Sequence, residues 1–76
     1  MTILITGACG FIGIEIAREC AGLGHGVFAV DNLSGGSRMN LPRNVPFFCE
    51  DIRNESGMEW IFRTVKPDFV IHAAAM

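Results

Sequence analysis

The chain has 76 residues, 50% of them apolar and only 18% charged, with a formal charge of −2 and a mean hydropathy of +0.37. That length allows one small domain, and the charge lacks the basic footprint of a nucleic-acid binder. No apolar run approaches the roughly 20 residues of a membrane span, and no basic stretch precedes the first apolar run as in a secretory signal. Cys9, Cys20 and Cys49 are odd in number and widely spaced. They argue against a disulfide framework or a metal site, and for a reducing, cytoplasmic compartment.

Residues 3–5 (ILI) form a short apolar run directly before the glycines at 7, 10 and 13, and continuous apolar character suits a strand buried on both faces. From Phe11 to Leu23 the period becomes helical. Ile12, Ile16 and Cys20 recur every fourth residue beside Gly13, Ala17 and Ala21, with Glu15, Arg18 and Glu19 opposite. Gly22 and Gly24 offer a left-handed cap. Val27 to Val30 reads as a second buried strand ending at Asp31. Residues 32–44, rich in Asn, Ser, Gly and Pro, read as a loop. Phe47 to Cys49 is a third, brief strand. A second helix follows, capped by Asn54, with Met58, Ile61, Phe62 and Val65 on one face. Glu55 and Glu59 lie toward its start, Arg63 and Lys66 toward its end, and Pro67 stops it. Phe69 to Ile71 is the fourth strand.

This alternation predicts a parallel α/β sheet. Right-handed crossovers and one reversal past the first strand give strand order 3-2-1-4 with helices on both faces. That arrangement is the N-terminal part of a Rossmann-type sheet.

The strongest chemical signal is TGACGFIG at residues 6–13, three glycines at G-x-x-G-x-x-G spacing between a strand and a helix. A tight turn needs a residue tolerant of positive φ, a diphosphate must approach backbone N–H groups without an intervening Cβ, and the helix must pack closely on its strand. Gly7, Gly10 and Gly13 can meet those needs in turn, and the helix N-terminus favours an anion. The alternative is a glycine-rich turn with no ligand. Asp31, 18 residues after Gly13, can accept from both ribose hydroxyls of adenosine and would repel a 2′-phosphate, which favours NAD over NADP. Alternatively it caps the following loop. Arg38, the cation nearest to it in the loop, reads as a solvated residue or a diphosphate neighbour.

TGACGFIG, then VDNLSGGSRMNL at 30–41, EDIRN at 50–54 and KPDFVIHAAA at 66–75 together resemble the extended short-chain dehydrogenase/reductase family. Within it they resemble the NAD-dependent sugar-nucleotide epimerases and dehydratases of the UDP-glucose 4-epimerase type. The motifs fall in family order across essentially all 76 residues. The resemblance implies that Phe11 and Ile12 present amides to the diphosphate, and that Asp31 and Asn32 hold the adenosine ribose. Leu33, Ser34, Gly35 and Gly36 would line the same side, Asp51 and Ile52 would flank adenine, and Ala73, Ala74 and Ala75 would run under the nicotinamide ribose. Each has a plainer alternative: Asp51 begins a turn, and the alanines pack tightly after a strand. His72 reads as a buried structural histidine.

Where the family often has Ser-His or Ser-Asn after GFIG, this chain has Ile14-Glu15, a departure that touches helix packing more than the cofactor. The family's Ser or Thr with Tyr-x-x-x-Lys lies beyond this length; the chain contains no tyrosine, and its one lysine is Lys66. The expectation is therefore an NAD-binding portion, residues 1–76, of such an enzyme, with no catalytic residue of its own. The nucleotide sugar and a homodimer belong to the complete enzyme. A non-catalytic NAD(H)-binding regulatory module of the same fold is the alternative. Two helices over four strands, with the fourth strand's edge unpaired, predict exposed apolar surface from Phe47, Phe48, Phe69 or Ile71.

Overall fold

A computed structural model describes residues 1–34 and 37–73. Strands β1 (Thr2–Thr6), β2 (Gly26–Asp31), β3 (Phe47–Cys49) and β4 (Phe69–His72) form one parallel sheet in the order β3-β2-β1-β4. Helices α1 (Phe11–Gly22) and α2 (Glu55–Val65) are the crossovers, and a 3₁₀ turn over Arg38–Asn40 interrupts the loop after β2. The Rossmann-type order expected from the alternation is the observed one.

Alternate strand residues point to opposite faces, and the sheet uses both. On the α1 face Ile3, Ile5, Val27 and Ala29 are buried with Ala8, Ala17 and Val45, and Phe47 and Ile71 pack against them. On the other face Leu4 and Val30 meet Ile61 of α2, flanked by Phe28, Phe48, Met58 and Val65. The helices therefore lie on opposite faces.

The helical stripes differ in detail from the periodicity. In α1 the buried residues are Gly13 and Ala17, with Ile16, Cys20 and Ala21 beside them, while Ile12 is exposed. The reason is close approach: a helix whose backbone touches the preceding turn buries its smallest residues. In α2 Phe62 lies outside the core, which is centred on Ile61. Asn54 caps α2 as expected, its side chain accepting from the Gly57 N–H. The chain leaves α1 through a Schellman arrangement. The Gly24 N–H donates to the Ala21 carbonyl, His25 N–H to that of Cys20, and Gly24 has φ +90°. Gly22 stays helical, so only Gly24 serves the left-handed cap. At the end of α2 it is Lys66 that turns left-handed, immediately before Pro67.

Of the apolar residues expected to remain exposed, Phe69 does so, joined by Val70, because β4 borders only β1 among the described residues. Phe47, Phe48 and Ile71 are half-buried. Phe48 stacks on Phe28 and meets Trp60 edge-on, with ring centroids 6.4 and 6.0 Å apart. Among the described residues no helix is long and apolar enough to cross a membrane.

Candidate functional site

The described residues predicted from sequence follow the C-terminal ends of the strands, most of them after β1 and β2, with Asp51 and Ile52 after β3 and Ala73 after β4, where a doubly wound sheet opens its crevice. The turn from β1 to α1 is built by three glycines with three different jobs. Gly7 has φ +67°, a conformation that favours glycine, and its carbonyl accepts from the Gly10 N–H. Gly13 lies against the turn: a Cβ there would sit 2.8 Å from the Ala8 Cα and inside contact distance of the Gly7 carbonyl. Gly10 is different. Its φ of −77° and ψ of 169° suit any residue, and a Cβ would meet only the Gly7 oxygen, at an ordinary 3.4 Å. Neither backbone nor packing requires glycine at this position.

Gly10 is also the N-cap of α1, where no side chain caps and the first turn carries no acidic residue. Intrahelical bonding begins with the Ile14 N–H on the Gly10 carbonyl. The amides of Phe11, Ile12 and Gly13 thus precede it, without partners among the described residues, at the positive end of the helix. Phe11 is 88% and Ile12 66% exposed, so the mouth of this helix is open.

Asp31 closes β2, and its carboxylate ties two loops together. One oxygen accepts from the Cys9 N–H at 2.9 Å, the other from the Leu33 N–H at 2.7 Å. It does cap the following loop, and it also holds the glycine turn. Two lone-pair sites remain for other donors, since a carboxylate offers about four. The Leu33 bond stabilises a left-handed leucine, φ +64°, and the Asn32 side chain accepts from Ser34 N–H at 3.0 Å. Cys9 is buried beside this carboxylate, and burial pushes its thiol up to about 11, with Asp31 adding to the rise and Arg38 opposing it.

Asp51 begins a turn, as its plainer reading has it, and engages Arg53. It accepts from the Arg53 backbone N–H at 2.8 Å and from the guanidinium at 2.7 Å. Those bonds hold its carboxyl down at about 2, and the nearby Asn32 side chain adds a smaller lowering influence. Asn32 directly follows β2 and Asp51 lies just beyond β3, at the same end of the parallel sheet. Ile52 is 38% exposed beside them. Ala73 prolongs the pairing of β4 with β1, its N–H donating to the Thr6 carbonyl at 2.9 Å. Gly35, Gly36, Ala74 and Ala75 lie outside the described residues.

Two side chains differ from their sequence reading. His72 is exposed rather than buried, because it ends an edge strand. It is nonetheless engaged: its Nδ1 is hydrogen-bonded to the hydroxyl of Thr6, which is buried and directly opposite in register. Arg38 is not simply solvated, since its guanidinium carbon lies 5.1 Å above the Phe47 ring. The partnership of Arg53 with Asp51 is one that sequence reasoning missed, although a spacing of two within a turn was the signal for it.

The sequence profile of the NAD dependent epimerase/dehydratase family matches residues 3–76. The chain belongs to this family. Among solved structures, the UDP-glucose 4-epimerase of Thermotoga maritima, determined with UDP-glucose, superposes with a TM-score of 0.95 at 45% identity, over 100% of this chain and 25% of its own. The Thermus thermophilus UDP-glucose 4-epimerase in complex with NAD gives a TM-score of 0.95 at 43% identity, over 100% and 24%. The UDP-glucose 4-epimerase of Neisseria gonorrhoeae is 37% identical, over 100% of this chain and 25% of its own length. The chain thus spans about a quarter of the length of these family members.

Proposed function

We propose that this chain is the NAD-binding portion, residues 1–76, of a UDP-glucose 4-epimerase-type enzyme. Gly10 carries the reading: nothing in the fold demands a glycine there, yet it directly precedes the α1 amides that have no partner among the described residues. A diphosphate seated on those amides supplies the missing reason. The comparisons support the same assignment, because relatives of this chain were solved with NAD.

In this reading Gly7 and Gly13 shape the turn, and Gly10, Phe11 and Ile12 admit and bind the diphosphate. Asp31 and Asn32 take the adenosine ribose hydroxyls, with Leu33, Ser34, Gly35 and Gly36 along the same side. Asp51 and Ile52 flank adenine, and Ala73, Ala74 and Ala75 pass beneath the nicotinamide ribose. Bound NAD supplies a hydride acceptor for a sugar carbon. The residues of this chain hold and orient the cofactor; with no tyrosine present, they do not move the hydroxyl proton. That proton transfer, the grip on a nucleotide sugar, and a homodimeric assembly belong to the complete, cytoplasmic enzyme.

Gly10→Val tests the reading. Calorimetric titration with NAD is expected to show loss of binding while helix content by circular dichroism is retained. Wild-type affinity in this variant would remove Gly10 from the diphosphate site and leave the reading without its main support.

A further inference from the structure

We propose that the cavity between β3 and the loop preceding it is a binding site for a small organic phosphomonoester, with Arg38 and Arg43 taking the phosphate. None of the residues placed in the cofactor site lines this cavity, so the proposal stands apart from the reading of that site.

The chain passes from β2 to β3 through one 3₁₀ turn rather than an α-helix, and the loop itself covers the α1 face of β3. Phe47, opposite Ala29 in register, points to that face, and Leu41 and Val45 join it against the core. Two hydrogen-bonded turns shape the loop. In the first, the Leu41 N–H donates to the Arg38 carbonyl at 3.1 Å, and the Ser37 hydroxyl accepts from the Met39 N–H. In the second, the Val45 N–H donates to the Pro42 carbonyl, also at 3.1 Å. The loop is tied at both sides: the Ala29 N–H donates to the Pro46 carbonyl at 2.9 Å, and the Arg18 guanidinium of α1 to the Asn40 carbonyl at 3.5 Å. Each turn carries one arginine, Arg38 at the start of the first and Arg43 within the second. Both line a cavity of about 260 Å³ with Leu41, Val45 and Phe47.

The charge there is unanswered. No carboxylate occurs between Asp31 and Glu50, although the chain as a whole is acidic. The ion pairs among the described residues use Arg18, Arg53 and Arg63, each with a carboxylate close by in sequence. The Arg38 guanidinium carbon lies 5.1 Å from the Phe47 ring centroid, and an aromatic face orients a guanidinium without neutralising it. Two guanidinium forks offer more donors than one carboxylate accepts. A phosphomonoester, with roughly three terminal oxygens and a charge near −2, can serve both. Leu41, Val45 and Phe47 add an apolar lining that suits a carbon body on the ester oxygen. The volume lies below the roughly 300–1,000 Å³ of pockets for drug-sized ligands, so that body is small.

Amide NMR of the full chain, titrated with phenyl phosphate at constant ionic strength, tests the site. Saturating NAD is present so that the mouth of α1 does not compete. Saturable shifts are expected at Leu41, Val45 and Phe47, with binding at least about threefold tighter than that of inorganic phosphate, because the ring is buried on the apolar lining. Arg38→Met and Arg43→Met are each expected to weaken binding at least about tenfold, and Arg63→Met, on the opposite face of the sheet, to leave it unchanged. Should Arg38→Met disturb the packing on Phe47, Arg43→Met decides. Shifts that do not saturate, that survive both substitutions, or that are confined to Phe11, Ile12 and Gly13 would overturn the site. Inorganic phosphate binding as tightly as phenyl phosphate would overturn the organic ligand. Failure of the chain to bind NAD would overturn only the cofactor reading, since shifts at Leu41, Val45 and Phe47 are read separately from those at the mouth of α1.

Discussion

Replacing Gly10 and Gly13 by alanine, one at a time, separates the demands of the fold from those of the ligand. At Gly13 the added methyl would lie 2.8 Å from the Ala8 Cα and 3.0 Å from its carbonyl carbon, with the Gly7 carbonyl closer still. These are backbone atoms of a turn, so none can rotate away; the helix must lift from the sheet instead. Overpacking of this kind costs about 1–3 kcal/mol, and the rigid neighbours place Gly13→Ala at the upper end, about 3 kcal/mol. For a domain of this size that corresponds to a fall in Tm on the order of 15 °C. At Gly10 the methyl makes an ordinary contact at 3.4 Å in a conformation any residue adopts. The cost there is limited to the poorer N-cap quality of alanine, under about 1 kcal/mol. Urea denaturation followed by the fluorescence of Trp60, the single tryptophan, gives both values. Equal destabilisation by the two substitutions, or a neutral Gly13→Ala, would refute the division of labour among the glycines.

Three further outcomes follow from named contacts. The Thr6–His72 hydrogen bond joins β1 to β4, so Thr6→Val and His72→Phe should each cost about 1 kcal/mol. The double variant should fall short of their sum by a similar amount, and strict additivity would show that the bond contributes no coupling. Cys9 holds its proton up to about 11 against an ordinary 9.0, so its contribution to stability is complete below pH 9 and is lost as pH rises toward 11. In a mass-spectrometric alkylation series at pH 8, exposed Cys49 should therefore react well before buried Cys9, and equal rates would contradict the burial of that thiol. The Asp51 carboxyl is held at about 2 against 3.8, so its contribution is present above pH 3.8 and is lost as pH falls toward 2. An NMR titration should show Arg53→Met moving its midpoint up toward the ordinary carboxylate range; an unmoved midpoint would discard the Arg53 pairing.

The sheet order was legible because short apolar runs, a switch to helical period and capping residues all agree on one topology. The glycine positions were legible as a motif, but their separate roles were not, since clearance around a Cβ depends on how α1 docks against the turn. Exposure of Ile12 has the same origin: a stripe of every fourth residue names a face, and the close approach at Gly13 rotates it. Nor did the sequence show His72 as exposed, because an apolar strand looks alike at the centre and at the edge of a sheet. Arg38 lies nine residues from Phe47, and only the return of the loop over β3 brings the two together. Asp31 was read as either a ribose ligand or a loop cap; the structure has it capping, with acceptor sites left over.

The central claim is that the amides at the mouth of α1, with Asp31 beside them, form a cofactor site. Backbone amide NMR of the chain titrated with NAD tests this most directly. The account predicts saturable shifts at Cys9, Phe11, Ile12, Gly13 and Leu33, with Asn32 and Ile52 following on the adenosine side. Shifts confined to the groove between β3 and α2 around Phe48 and Trp60, or none in a folded chain, would contradict it.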